Sequence, residues 1–305
     1  LFSSGLIGQS WAMLFASSGY EIKLFDSHQS QVENALSNIE EQLHFLEKEG
    51  LLRGELSRQE QRERISSCSL LEDCVKDSFY IQECVPERLE TKKRVWSEID
   101  KLADSTTIFA SSTSSLLPSN ISQHLQNKNR FLVVHPTNPP YYAPLVELIP
   151  APWTDDDVVP TTKSLMLQVG QVPVILKKEI DGFALNRIQY SILGEAWRLI
   201  NDDVISAEDL DKVMSSGLGV RYAFMGPLET AYLNADGMHS YYERYGDMIY
   251  ALQNSFGPPL KMQGETGDKI QKELEKYSCP VSEIPLRRQW RDKRLVALAK
   301  LKKEL

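Results

Sequence analysis

The sequence is short of cysteine, of long apolar runs and of positive charge, and each shortage removes a class of protein. Four cysteines in 305 residues, at 68, 74, 84 and 279, show no metal-type or redox spacing. They read as reduced thiols of a cytoplasmic protein, with no metal site and no disulfide scaffold. No apolar stretch approaches the roughly 20 residues that a membrane-spanning helix needs. Lys and Arg total 34 against 42 Asp and Glu, for a formal net charge of -8. Nucleic-acid binding through bulk charge is therefore not expected, and neither is a membrane partner. No internal repeat or low-complexity segment stands out. The chain begins with Leu1 and leads at once into a Gly-containing turn and an amphipathic segment. That start reads as a fragment or a processed chain without a signal peptide. The length suggests two domains with ample core.

The richest segment is Arg130-Phe-Leu-Val-Val-His135-Pro-Thr-Asn138-Pro-Pro, followed by Pro144-Leu-Val-Glu147-Leu-Ile149. Phe131 to Val134 read as a short buried strand that ends at His135. The Pro139-Pro140 pair then forces an extended turn. Glu147 interrupts a second apolar strand, where an ionised carboxylate is costly unless something pairs with it. The histidine on the neighbouring strand is the natural partner. Such pairing holds one ring nitrogen and leaves the other able to act as a general base. On these two residues alone, a structural hydrogen bond and a base with its orienting acid are both open.

The amino end carries a second motif. Ser3-Ser-Gly5-Leu-Ile-Gly8 leads through an apolar segment to Tyr20-Glu-Ile-Lys-Leu-Phe-Asp26. Strand end, glycine turn, helix, strand and acid together describe the start of a dinucleotide-binding unit, whose fingerprint is Gly-x-Gly-x-x-Gly. Gly5 fills the second position, where the backbone approaches the pyrophosphate. Gly8 fills the third, where helix and strand pack closely. Ser3 replaces the first glycine, and the strand before it is cut to about two residues, which is expected to weaken cofactor binding. Asp26 lies where a carboxylate accepts from a ribose 2′-hydroxyl, which favours NAD over NADP.

Strands and helices alternate through the first half. A polar helix covers 29–49, and the strongly charged stretch 50–66 reads as an exposed helical hairpin. Strands are expected at Phe79 to Val85 and at Thr107 to Ala110, with a helix from Pro86-Glu87 to about Lys101. Several strands end in polar residues: Asp26, Glu83, Ser111 to Ser115, and His135. Open parallel sheets bind ligands outside the carboxyl ends of their strands. After Asp181-Gly182-Phe183 the strand signals stop and helical periodicity takes over. The chain therefore reads as α/β: a Rossmann-type, mainly parallel sheet domain over 1–180 and an all-helical domain over 181–305.

Over nearly its whole length the chain resembles the 3-hydroxyacyl-CoA dehydrogenase family. The resemblance rests on Gly5-Leu-Ile-Gly8, Glu83-Cys-Val-Pro-Glu87 with Lys92, and Ser111-Ser-Thr-Ser114-Ser-Leu. It continues in His135-Pro-Thr-Asn138-Pro-Pro with Glu147, and in Asp181-Gly-Phe-Ala-Leu-Asn186-Arg187. Glu195-Ala-Trp-Arg198, Arg221-Tyr-Ala-Phe-Met-Gly-Pro-Leu-Glu229 and Arg288-Gln-Trp-Arg-Asp292 look specific to a branch that oxidises a sugar acid.

The resemblance implies roles. His135 matches the catalytic base and Glu147 the residue that orients it. Ser114 and Asn186 match positions that hydrogen-bond the reacting oxygen and so touch the substrate. Glu87 and Lys92 match positions that contact NAD. A homodimer through the helical half is implied as well. Each role has a plain rival: a polar loop for Ser114, a helix bridge for Asn186, a first-turn acid for Glu87, a solvated lysine for Lys92. Arg221 offers a guanidinium that can grip a substrate carboxylate with two parallel hydrogen bonds, or it is an ordinary surface arginine. Three functions follow: a sugar-acid dehydrogenase, a 3-hydroxyacyl-CoA dehydrogenase, or a non-catalytic structural protein or inactive fragment.

Overall fold

The structure, a computed structural model, describes residues 5–304. Ser3 and the remnant of the first strand lie outside the described residues. The chain divides into two compact units, one up to Arg187 and one from Ile188 onward.

Among the described residues, the first unit holds seven strands. β1 (Ile22–Leu24) pairs in parallel with β2 (Ile65–Ser67). A five-stranded sheet contains β3 (Tyr80–Glu83), β4 (Ile108–Ser111), β5 (Phe131–Pro136), β6 (Leu145–Pro150) and β7 (Val172–Ile175), in that spatial order. Its neighbours run parallel except β5 and β6, which are antiparallel and place His135 directly opposite Glu147. The helices are α1 (Leu6–Ser17), α2 (Gln29–Lys48), α3 (Arg58–Glu63), α4 (Leu71–Val75), α5 (Leu89–Asp100), α6 (Pro118–Ser122) and α7 (Val158–Gln168).

Except at the exposed edge strand β7, both faces of the larger sheet are buried, so strands β3 to β6 are mostly apolar on both sides. Side chains alternate between two cores, as the period of a strand demands. Ile108, Ala110, Leu132, Val134, Val146 and Leu148 join the core built on α1 and α2. Phe109, Phe131, Val133 and Ile149 join the opposite core, with Trp96 and Ile99 of α5 and with Phe183. By the same parity His135 and Glu147 face that second core. Trp96 packs between Phe109 and Phe131, with ring centroids 5.1 Å away in each case.

The stretch 50–66 is not a helical hairpin. A Ser57–Glu60 capping box starts the single helix α3, and the chain then enters β2. That strand buries only Ile65, so its three residues leave almost no hydrophobic pattern.

The second unit is helical throughout its described residues. The helix α8 (Leu185–Asn201) carries the chain into it. There follow α9 (Ala207–Lys212), α10 (Gly219–Tyr222), α11 (Pro227–Leu233), α12 (Met238–Ser255), α13 (Glu265–Tyr277) and α14 (Ile284–Glu304), with a π-helical turn at Val213–Leu218. Gly237, at a φ of 106°, breaks the helical stretch after residue 227 into two helices. No helix among the described residues is long and apolar enough to cross a membrane.

Candidate active site

The site begins with the antiparallel pair. His135 Nδ1 lies 2.8 Å from Glu147 Oε2, and both side chains are almost wholly buried. Glu147 Oε1 accepts from the Ala184 and Leu185 amides at 2.8 and 2.9 Å. These amides open α8, where unpaired donors and the helix dipole both favour a carboxylate. Burial alone pushes the Glu147 pKa up, but the hydrogen bonds from His135, Leu185 and Ala184 outweigh it and leave the carboxyl below its usual value. An ionised Glu147 accepts only. With His135 neutral, it accepts a hydrogen bond from Nδ1–H, which leaves a lone pair on Nε2. That nitrogen has no partner among the described residues.

The turn into α8 is unusual. Gly182 and then Phe183 both take positive φ, 74° and 51°. For a bulky residue such a φ is sparsely populated and is held only when the surroundings over-determine it. Here the Phe183 side chain is completely buried, and its ring centroid lies 5.5 Å from that of His135. The turn brings Asn186 to the sheet, where its Nδ2 donates to the Ser114 carbonyl at 2.7 Å. The Ser114 amide in turn donates to Glu87 Oε1 at 3.0 Å. The Ser114 main chain is thus held from both sides. Its hydroxyl makes no hydrogen bond among the described residues.

A second knot of charge sits at the end of β3. Glu83 is fully buried opposite Ser111. It accepts from Lys92 Nζ at 2.8 Å, the Val85 amide at 2.7 Å, Ser111 Oγ at 2.6 Å and Trp96 Nε1 at 3.3 Å. Lys92 also lies 3.4 Å from Glu87 Oε2. Burial raises the Glu87 pKa, but the Thr113 hydroxyl, Lys92, the Ser114 amide and the Ser115 hydroxyl together lower it.

Asp26 lines a cavity of about 340 Å³ with Phe25, Ser27, Val85, Pro86 and Arg94. The cavity lies at the carboxyl ends of β1 and β3, which is where an open sheet receives a nucleotide. Its mixed lining, an acid beside Phe25, Leu71, Val85 and Pro86, is compatible with an adenosine whose ribose hydroxyl donates to Asp26. Gly5 is the N-cap of α1 and Gly8 is buried in its first turns.

This arrangement has relatives. The NAD-binding domain of 3-hydroxyacyl-CoA dehydrogenases matches residues 2–180, and the C-terminal domain of the same enzymes matches residues 182–275. The chain belongs to the 3-hydroxyacyl-CoA dehydrogenase family. It is 50% identical over 303 residues to the lambda-crystallin homolog of Bos taurus, covering 99% of this chain and 94% of that one. It is 34% identical over 265 residues to the L-carnitine dehydrogenase of Oceanobacillus iheyensis, covering 86% and 81% of the two chains. Among solved structures it is similar to a 5-formyl-3-hydroxy-2-methylpyridine 4-carboxylic acid 5-dehydrogenase. That likeness has a TM-score of 0.79 at 26% identity and covers 98% and 96% of the two chains. The family uses NAD and acts on CH–OH groups.

Within the first unit the structure forms two networks, His135–Glu147 with the Ala184 and Leu185 amides and Asn186–Ser114–Glu87 with Lys92, which meet where Leu185 precedes Asn186 in the chain. Asp26 lines the cavity at the ends of β1 and β3, and Gly5 and Gly8 lie at the start of α1. Arg221 is an exposed residue of α10 in the second unit. Sequence reasoning noted Glu83 as a polar strand end but assigned it no partner. The signal was there: a carboxylate inside an apolar strand, the same anomaly that exposed Glu147.

The lowered pKa of Glu147 sets a pH dependence. A carboxyl whose folded pKa is depressed adds stability above its unfolded value, and that stability is lost as pH falls through the folded value. Glu147→Gln is expected to destabilise the protein by on the order of 3 kcal/mol at pH 7, because it breaks a buried charged cluster. The difference from the native chain should shrink as pH drops below the usual carboxyl value of 4.5. Urea melts of both proteins between pH 7 and pH 3 measure it, and a pH-independent difference would contradict the assignment.

Proposed function

We propose that this protein oxidises a free hydroxy acid, L-gulonate at carbon 3, giving 3-dehydro-L-gulonate. The buried His135–Glu147 pair beside Ser114 and Asn186 carries the reading. His135 Nε2 takes the proton of the substrate hydroxyl. Glu147 holds Nδ1–H and balances the imidazolium that forms, so the transfer leaves no unpaired charge in the buried site. The Ser114 hydroxyl and the Asn186 amide hold the reacting oxygen and steady its developing charge. NAD, when bound, supplies the hydride acceptor. Asp26, Gly5, Gly8 and Glu87 hold the cofactor. Phe183 covers His135 and keeps water from it.

Two observations support a free acid over an acyl-CoA. The full-length likeness is to a lambda-crystallin homolog, in the branch identified with L-gulonate 3-dehydrogenase. The second named relative acts on L-carnitine, itself a free 3-hydroxy carboxylate. Arg221 supplies a guanidinium for such a carboxylate.

We also propose a homodimer built on the second unit. Leu228, Tyr232, Leu233, Met248 and Tyr250 are all exposed there, an apolar surface that a monomer rarely leaves bare. The four cysteines are free thiols and fit a cytoplasmic setting.

Five measurements test these readings. The purified protein should turn over L-gulonate with NAD far faster than 3-hydroxybutyryl-CoA. His135→Gln should lower that rate ~100- to 10,000-fold with NADH binding retained. The reverse substrate order, or a fully active His135→Gln, would sink the reading. Asp26→Ala should weaken NAD and narrow its advantage over NADP, which a wild-type enzyme indifferent to the 2′-phosphate would refute. Sedimentation should show a dimer and cell fractionation a cytoplasmic protein; a monomer at micromolar concentration, or a membrane or organelle pool, counts against each.

A further inference from the structure

On the sheet face opposite to His135, three side chains converge on the Ser112 hydroxyl. Trp11 Nε1 of α1 lies 3.2 Å from it, Gln82 Nε2 of β3 2.6 Å and Cys84 Sγ 3.2 Å. The two nitrogens only donate, so they fill both lone pairs of the hydroxyl oxygen. The hydroxyl proton is left for the Cys84 sulfur. Burial pushes the Cys84 thiol up to about 12, so it stays protonated at neutral pH and brings no charge into the cluster. Trp11 and Gln82 are both fully buried. A buried donor that loses its acceptor costs more than the bond itself was worth.

Gln82 carries the contact further. Its Oε1 accepts from the Tyr80 hydroxyl, which leaves the nitrogen end of the amide to face Ser112. The same nitrogen also donates to the Val134 carbonyl, a longer bond at 3.4 Å. β4 pairs with β5 only as far as Ser111 opposite Val133. Past that point β4 has left the ladder, and the Gln82 amide takes its place beside Val134, the residue before His135. The Ser112 amide meanwhile donates to the Glu83 carbonyl at 2.8 Å. Three parts of the site are thus tied at one hydroxyl: α1, which begins at the glycine turn; the segment that leads to Ser114; and, through Gln82, the strand that ends at His135.

We propose that Ser112 is a positioning residue: with Trp11 and Gln82 it fixes α1 against the loop that presents Ser114 and against the end of β5. It acts through these neighbours and not on the reacting atoms. The effects on NADH and on turnover rest on the dehydrogenase reading; the effect on the loop does not.

The test uses the full chain and four variants: Ser112→Ala, Ser112→Thr, Trp11→Phe and the double change Trp11→Phe with Ser112→Ala. Thermal melts identify which are folded. The first readout is hydrogen exchange at Ser114 and Ser115 without cofactor. Ser112→Ala should speed it about fivefold or more, as expected for one lost hydrogen bond that leaves buried donors unpaired. The second readout is NADH affinity, which Ser112→Ala and Trp11→Phe should each lower about three- to tenfold. In the Ser112→Ala background, Trp11→Phe should add less than about twofold, because the two changes break the same bond. The third is kinetic. Ser112→Ala should lower kcat on L-gulonate about tenfold and leave KM within about twofold, the pattern of a misaligned site that still binds its substrate. Ser112→Thr keeps the hydroxyl and should restore all three. The proposal is overturned if folded Ser112→Ala keeps native kcat and NADH affinity, if folded Ser112→Thr restores neither, or if the Trp11 and Ser112 losses add independently. Should Ser112→Ala not fold, Trp11→Phe decides, and native NADH affinity in that variant overturns the proposal. A native chain that binds no NADH would remove the dehydrogenase reading instead, and the exchange result would then decide the role of Ser112 by itself.

Discussion

A carboxylate buried in the middle of an apolar strand leaves the chain few ways to fold around it. Desolvating Glu147 without partners would cost several kcal/mol. Its three donors come from two places, the end of β5 and the start of α8. One side chain therefore fixes the register of β5 against β6 and the point where α8 meets the sheet. A slip of one residue would turn His135 to the opposite face and leave Glu147 unpaired. The helix gains too, since two of the amides that its first turn leaves unsatisfied find an acceptor. Asn186 follows directly and falls against the Ser114 carbonyl. Satisfying one buried charge positions three residues of the site.

The same physics recurs at the end of β3. Glu83 is again a carboxylate in an apolar strand, again satisfied by a neighbouring strand and a helix. The difference lies in the partner. His135 can give and take a proton and keeps a nitrogen available. Lys92 is a fixed charge, hydrogen-bonded to Glu83 and the Val85 carbonyl and ion-paired with Glu87. The two knots meet at Ser114, whose amide belongs to the Glu87 side and whose carbonyl belongs to the Asn186 side. With its main chain held from both directions, only the hydroxyl can vary, which is what a group gripping a reacting oxygen needs.

Much of this was legible before any coordinates. Long motifs in series identified the fold class and the family, and the His135–Glu147 pair stood out because charge in an apolar run is an anomaly. What escaped the sequence has physical reasons. β2 is three residues long with one buried, too short for a period to show. Lys92 was read as a cofactor contact with a solvated helix residue as its rival, and its burial did not show because a helix pattern does not reveal which polar positions point inward. Glu83 showed as a polar strand end, but its partner did not, since Lys92 lies nine residues on, across a turn. The left-handed Phe183 gave no signal, because nothing in a Gly-Phe pair says that the phenylalanine adopts the strained conformation as well.

The antiparallel break in an otherwise parallel sheet explains why the site can be this compact. Parallel neighbours need a crossover of a dozen or more residues between them. By reversing direction at β6, the chain returns at once and sets Glu147 against His135 only 12 positions away. The pair is local, so the strand register alone suffices to form it. Its environment is not local. The amides that complete the Glu147 shell come from 37 and 38 positions further along, and the Asn186 link to Ser114 spans 72. The dyad therefore exists as soon as β5 and β6 pair, but it becomes a dry, oriented base only when the turn at 181–184 closes over it. The strained backbone of Phe183 sits in that turn. The strain is held by the same buried carboxylate that the turn satisfies, so each feature keeps the other in place.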